Sequence, residues 1–320
     1  MKDQSQEGIE PNVNKRRLLW WIVLGTIRPP FLVLALAVVN LGVAFAIYEG
    51  ASFSFELYFL TIVAALAAHA SVNMLNEYED FLSGLDDLTQ RTPFSGGSGR
   101  LQAYPHLAQE AAQWVQRIAY LLLGVSIAIG LYFIWLRGWE VLPLGIVGIA
   151  LVLAYTNKIT RKPWLCLVAP GLAFGPIMVM GSYFVFAGHY SWSSFAVSLI
   201  PFFLINNLLL LNQIPDEAAD RQVGRYNLIM RLGIDRSLSI FRLFLLASYL
   251  MLLLLVVIEW LPAWALLGLL TLVLAVPLFF KIHTAHQKIE TLLPLLAWNV
   301  MINIVTPLLI ALGLYLQGHF

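Results

Sequence analysis

Nine apolar runs of about 20 residues each recur along the chain, and nothing else in the sequence constrains the fold as much. A run of that length crosses a hydrocarbon core of ~30 Å as an α-helix. The runs fall at about 20–48, 55–78, 114–136, 139–157, 164–187, 193–212, 238–259, 263–281 and 292–316. A bilayer admits only helices or closed barrels, because every backbone polar group must be paired internally. Strand-like alternation is absent, so the expected fold is all-α: a polytopic membrane bundle of nine transmembrane helices. Composition agrees, with 60% hydrophobic and 12% charged residues, about half the charge of an ordinary soluble domain. Residues 1–19 read as a polar cytoplasmic tail, unstructured over 1–14, and 20–320 as a single transmembrane domain.

Lys15-Arg16-Arg17 ahead of an apolar run also fits a signal peptide. The run is too long for one, and Arg28-Pro29-Pro30 interrupts it, so a first membrane helix is expected instead. Orientation follows from the basic residues. With nine spans, all but Arg137 of the nineteen Lys and Arg residues fall on the N-terminal side. That places the N-terminus and the long connections at about 79–113 and 213–237 in the cytoplasm, and Phe320 outside. A formal charge of +1 gives no bulk field for nucleic acid, and the one cysteine, Cys166, excludes an intramolecular disulfide.

The chemistry is expected where spans two and six end. His69, Asn73, Asn76 and Asp80 are spaced 4, 3 and 4, which puts them on one helical stripe. Such a stripe on a membrane helix must face the bundle interior or a wet cavity, and Asp86 lies within reach of the same opening. Asn212, Asp216 and Asp220 repeat the idea at i, i+4 and i+8, with Pro215 expected to kink or loosen the helix. These carboxylate and carboxamide oxygens suit Mg²⁺, which takes one or two carboxylates and completes its shell with water and phosphate oxygens. Two such clusters facing each other could hold two or more Mg²⁺ around a diphosphate. One cluster taken alone reads better as caps and salt bridges at the headgroup level, and it is the pair of matched clusters on one face that favours the metal.

Between the clusters, Arg91-Thr92-Pro93-Phe94-Ser95-Gly96-Gly97-Ser98-Gly99-Arg100 is either an anion-binding backbone loop flanked by arginines or a flexible linker. Tyr155 and Lys158 are placed at the same face, although Lys158 alone reads as a positive-inside anchor. Arg221, Arg225 and Arg231 carry the same two readings. Asn206 and Asn207 are expected to bond between helices, Asn299 and Asn303 to do that or line the cavity, and His69 to be a satisfied interior histidine. Gly175-Pro176 marks a packing or kink position.

With these residues in view, the chain resembles the UbiA superfamily of intramembrane prenyltransferases, over roughly residues 20–315. It is most similar to the branch that prenylates 1,4-dihydroxy-2-naphthoate for menaquinone. The first motif of that branch is matched by Asn76, Glu77, Tyr78, Asp80, Gly84 and Asp86. The second is matched by Asn212, Asp216, Asp220, Gly224-Arg225 and Leu228-Ile229-Met230-Arg231-Leu232-Gly233. Arg28-Pro29, Tyr155-Thr156 and Gly181-Ser182-Tyr183 match as well. Glu77 stands for the usual Asp and Arg225 for the usual Lys, and Arg161-Lys162-Pro163-Trp164 lacks the acid that the naphthoate branch carries there.

The resemblance implies Mg²⁺-dependent ionisation of a prenyl diphosphate and alkylation of an aromatic acceptor at the membrane. It implies Asp80, Asp86, Asp216 and Asp220 as catalytic residues and Asn76, Asp80, Asn212, Asp216 and Asp220 as the Mg²⁺ ligands. Arg28, Asn73, Arg91, Tyr155, Lys158, Arg221 and Arg225 are implied to bind substrate. Relatives use other acceptors, namely 4-hydroxybenzoate, haem, chlorophyllide and glycerophosphate. A transporter is the rival from another class, but its acids usually sit near the bilayer midplane. Donor chain length and oligomeric state have no signature in the sequence.

Overall fold

Arg28 divides the first apolar run into two helices. It adopts a left-handed conformation, φ 60° and ψ 60°, and the prolines after it occupy the first turn of the next helix, where a missing N–H costs nothing. The computed structural model describes residues 15–89, 91–95 and 97–318. The polar tail expected over 1–14 lies outside them, as does Gly96. A first helix, α1 (Lys15–Gly25), buries Leu19, Ile22 and Val23 against the third span and turns Trp20, Trp21 and Leu24 outward. The spanning helix α2 begins only at Pro29 and runs to Tyr48. This corrects one expectation: the first span does not begin at 20.

The remaining elements are α3 (Phe55–Ser83), the short α4 (Leu85–Leu88), α5 (Pro105–Arg137), α6 (Leu142–Ala154) after a 3-10 turn, α7 (Pro163–Leu172) and α8 (Met180–Ala187). They are followed by α9 (Trp192–Gln222), α10 (Leu228–Leu232), α11 (Ile234–Val257), α12 (Leu272–Ala285) after the 3-10 segment Ala263–Thr271, and α13 (Ile289–Gln317). No strand occurs among the described residues. Eight helices are long and apolar enough to cross a membrane, and the ninth expected span is the shorter Trp139–Ala154, which buries none of its residues.

Helices that end at the charged face run further than their apolar stretches. α3 continues to Ser83, where Gly84 at φ 72° closes it in the left-handed conformation that glycine tolerates best. α9 starts at a capping box between Ser191 and Ser194 and continues unbroken through Pro201 and Pro215. Pro215 therefore does not interrupt the helix, and the second acidic cluster is fully helical. The loosened segment lies instead between α7 and α8, where Ala173–Val179 forms a π-helix around Pro176. An added Cβ at Gly175 would come 2.5 Å from the Ser198 carbonyl, so its absence lets this segment press on α9.

α2, α9 and α13 form the interior. Their buried amides bond from helix to helix and along them, although Asn206 Nδ2, Asn207 Oδ1 and Asn303 Oδ1 keep no partner. The Gly171 N–H donates to Asn206 Oδ1 (2.7 Å) and Asn207 Nδ2 to the Phe241 carbonyl (2.8 Å). Asn299 Nδ2 donates to the Asn207 carbonyl (3.1 Å) and Asn303 Nδ2 to that of Asn299 (2.8 Å). Asn299 thus joins α13 to α9, Asn303 bonds within α13, and neither lines the cavity. At the end remote from the acids, Tyr183 and Ser193 both donate to Glu49, fastening α2, α8 and α9.

Candidate active site

The C-terminal ends of α3 and α9 meet at the mouth of a cavity of about 460 Å³ that runs between the helices toward α5, α6 and the π segment. Eight of the expected site residues line it: Arg28, Asn73, Asn76, Tyr155, Asn212, Asp216, Asp220 and Arg225. A small recess beside the mouth adds Asp80, Asp86, Arg91 and Ser95, and shares Asp216, Asp220 and Arg225. The expected stripe on α3 is therefore real: His69, Asn73 and Asn76 face the cavity and Asp80 the recess.

Each polar group is held by a specific neighbour. Asn73 Nδ2 donates to the Ile27 carbonyl (3.0 Å), tying α3 to the break before α2. Arg28, in its left-handed conformation, donates from Nη2 to the Ser95 carbonyl (2.7 Å). A non-glycine residue there is strained and must be held by its surroundings, and this pair of bonds does so. Asn76 Nδ2 donates to Asp80 Oδ2 (2.8 Å), while its Oδ1 accepts from the Thr156 hydroxyl (3.2 Å). Ser95 Oγ donates to Asp216 Oδ1 (3.4 Å). Asp86 pairs with Arg91 (3.2 Å), and burial, with the Glu77 charge behind it, pushes its carboxyl up to about 6.

The glycine-rich loop serves a different purpose from either reading of its sequence. Ser98 donates from both its backbone N–H and its hydroxyl to Glu77, each at 2.6 Å. Glu77 is 1% exposed. The anion that this loop cradles is thus a side chain of α3, and the clamp fixes the loop over the acids. Gly97 is needed for the approach, since a Cβ there would lie 2.6 Å from Asp86 Oδ1. The Glu in place of the usual Asp supplies the reach.

Two of the expected substrate-binding residues, Lys158 and Arg221, stand outside the site, and a third, Arg225, is engaged by the acids. Lys158 is exposed and outside the cavity lining, which fits the anchor reading. Arg221 is exposed and pairs with Glu217 one turn back on α9 (2.8 Å). Helical geometry explains this: 221 follows 220, so the two side chains diverge by about 100° around the helix. Arg225 is at the site but faces the acids. Its guanidinium bonds both Asp80 and Asp220, the latter at 3.2 Å, and so bridges the two clusters.

Hard-cation chemistry fits the donors present. Asp86 Oδ2 and Asn212 Oδ1 are buried without hydrogen-bond partners, leaving one carboxylate and one carboxamide oxygen available to a ligand. Among the described residues no three His, Cys, Asp or Glu side chains form a ready metal cluster. The protein thus offers partial oxygen shells, the arrangement from which Mg²⁺ is bound together with water and phosphate.

A model of the family described as "UbiA prenyltransferase family" matches residues 35–300. The 1,4-dihydroxy-2-naphthoate octaprenyltransferase of Bacillus subtilis is 25% identical over 68% of this chain, and the match spans 66% of that relative, just under two thirds of its length. Among solved structures, the apo UbiA homologue from Aeropyrum pernix K1 superposes with a TM-score of 0.65 at 19% identity, covering 88% of this chain and 98% of that one. The Archaeoglobus fulgidus UbiA homologue bound to DMAPP and Mg²⁺ gives 0.61 at 13%, covering 89% and 98%. These likenesses share the fold, and the family match covers both acidic helix ends and most of the cavity lining: the chain belongs to the UbiA prenyltransferase family.

Proposed function

We propose that this protein transfers a prenyl group from a prenyl diphosphate to an aromatic quinone precursor, 1,4-dihydroxy-2-naphthoate, in an Mg²⁺-dependent reaction at the cytoplasmic face of a membrane. The observation that carries the reading is the meeting of the α3 and α9 acids at one mouth of a long apolar cavity. A diphosphate belongs among the acids and cations, and its hydrocarbon tail in the cavity. The name of the Bacillus relative supports the naphthoate acceptor.

Asn76, Asp80, Asp86, Asn212, Asp216 and Asp220 are the residues that would hold the metal. Bound there, Mg²⁺ would neutralise the charge that builds on a departing diphosphate. Arg28 at the cavity mouth and Arg91 beside Asp86 contribute fixed positive charge, which is most effective when it is already oriented before reaction. The allylic C–O bond breaks with its electron pair leaving on the diphosphate. An electron-rich ring carbon then bonds to the freed allylic carbon and gives up the proton or carboxylate it carried. Residues such as Val39, Ile149 and Phe174 wall the cavity and keep out the water that would trap the cation as an alcohol. The loop that Glu77 holds covers the recess on the polar side.

The test uses membranes carrying the protein, labelled prenyl diphosphates of several lengths and a panel of acceptors, each with Mg²⁺ or EDTA. Prenylated dihydroxynaphthoate formed only with Mg²⁺ is the expected product. Diphosphate release with product only from another acceptor would replace the acceptor. Substrate flux across proteoliposomes without any release would replace the reaction class with transport.

A further inference from the structure

His69 is 6% exposed, lines the cavity and stands edge-on to Phe174, with ring centroids 4.9 Å apart. Its Nδ1 is buried with no hydrogen-bond partner, so the satisfied interior histidine expected from sequence is not what the fold contains. The polar side chains nearest to it on α3, and Ser182 opposite, are accounted for, whereas Asn212 Oδ1, also unpartnered, belongs to the acidic mouth. Asn73, one turn nearer the mouth, bonds the Ile27 carbonyl. Thr61, about two turns deeper on α3, donates to the Leu57 carbonyl, and Ser182 across the cavity donates to the Met178 and Val179 carbonyls. A buried imidazole nitrogen left unpaired is disfavoured, and the hydrocarbon tail of a prenyl donor cannot pair with it.

Position narrows what can. His69 lies seven residues before Asn76 on a continuous helix, about 10 Å deeper than the diphosphate end of the site. A diphosphate held among the acids does not extend to that depth. An aromatic acceptor lying against the reacting end of the donor does, and it carries hydroxyl groups. We propose that His69 is the hydrogen-bonding contact for a hydroxyl of the aromatic acceptor, and through it a specificity-determining residue of this site. The assignment rests on the prenyl-transfer reading above. It orients the ring by one polar contact in an otherwise apolar wall, the usual economy of small-molecule pockets.

The test compares wild type, His69→Phe and His69→Gln in membranes, with saturation curves for each substrate. In His69→Phe the KM for dihydroxynaphthoate rises about tenfold or more, as loss of one buried polar contact predicts. The KM for prenyl diphosphate and the Mg²⁺-dependent release of diphosphate without acceptor change by clearly less than the acceptor KM. His69→Gln, which keeps a hydrogen-bonding group, recovers most of the acceptor affinity. An acceptor KM unchanged in both variants overturns the proposal, as does an equal rise in both substrates' KM values, the mark of a merely structural role. Should His69→Phe fail to insert, His69→Asn, whose shorter amide retreats from the cavity, takes its place: a raised acceptor KM alone supports the contact, and an unchanged one overturns it. If wild type prenylates no hydroxylated aromatic, the prenyl-transfer reading itself has failed; if it does and the variants match it, only His69 has been misassigned.

Discussion

Arg225 holds Asp80 and Asp220 side by side across the helix interface, with their side chains 2% and 8% exposed and its own 15%. Removing one partner from such a group leaves buried charge uncompensated, a loss of about 3–5 kcal/mol. Arg225→Ala should therefore lower thermal stability in EDTA by that order. Mg²⁺ should restore more stability to the variant than to wild type, up to about 2.7 kcal/mol at a hundredfold excess over its dissociation constant. Melting curves in detergent with and without Mg²⁺ check this, and equal Mg²⁺ stabilisation of both proteins would refute it. Asp80 and Asp220 were legible in the sequence because helical spacing fixes which residues share a face. The direction in which Arg225 points was not, because it follows from how α10 and the preceding turn return over α9. Glu77 was legible only as a departure from a motif, since its partner Ser98 lies 21 residues away.

Between helices, close contact is what the glycines permit. Gly42 of α2 has no room for a side chain: an added Cβ would run into Ser182 and the Val179 carbonyl of the π segment. Gly124 of α5 has nothing near it. Gly42→Ala should destabilise the fold by about 1–3 kcal/mol through overpacking, while Gly124→Ala should be neutral or gain up to about 1 kcal/mol in helix propensity. Thermal unfolding of the two variants separates them, and a stable Gly42→Ala would show that α2 can shift away from α8. Apolar length gave the spans but misplaced their ends. The acids belong to helices that outlast their apolar runs, and the first span breaks at Arg28 for reasons of backbone conformation that hydropathy does not register.

Across the bundle as a whole, the acids gather at one end and the Glu49 cluster at the other. The distribution of basic residues then predicts an orientation with the acids in the cytoplasm. In a Cys166→Ala background, a cysteine at exposed Gln222 should resist an impermeant thiol reagent in intact cells, and one at exposed His189 should react. The opposite pattern would invert the topology. The proposed chemistry stands or falls on the two acidic helix ends forming one diphosphate-ionising site. It is measured most directly as diphosphate release from a prenyl diphosphate by wild type, Asp80→Asn and Asp216→Asn proteins, each confirmed as folded, with Mg²⁺ and with EDTA. Release by wild type only with Mg²⁺ is expected, with a fall of about a hundredfold or more in either variant. Full release by one variant, or by wild type in EDTA, would contradict a shared site.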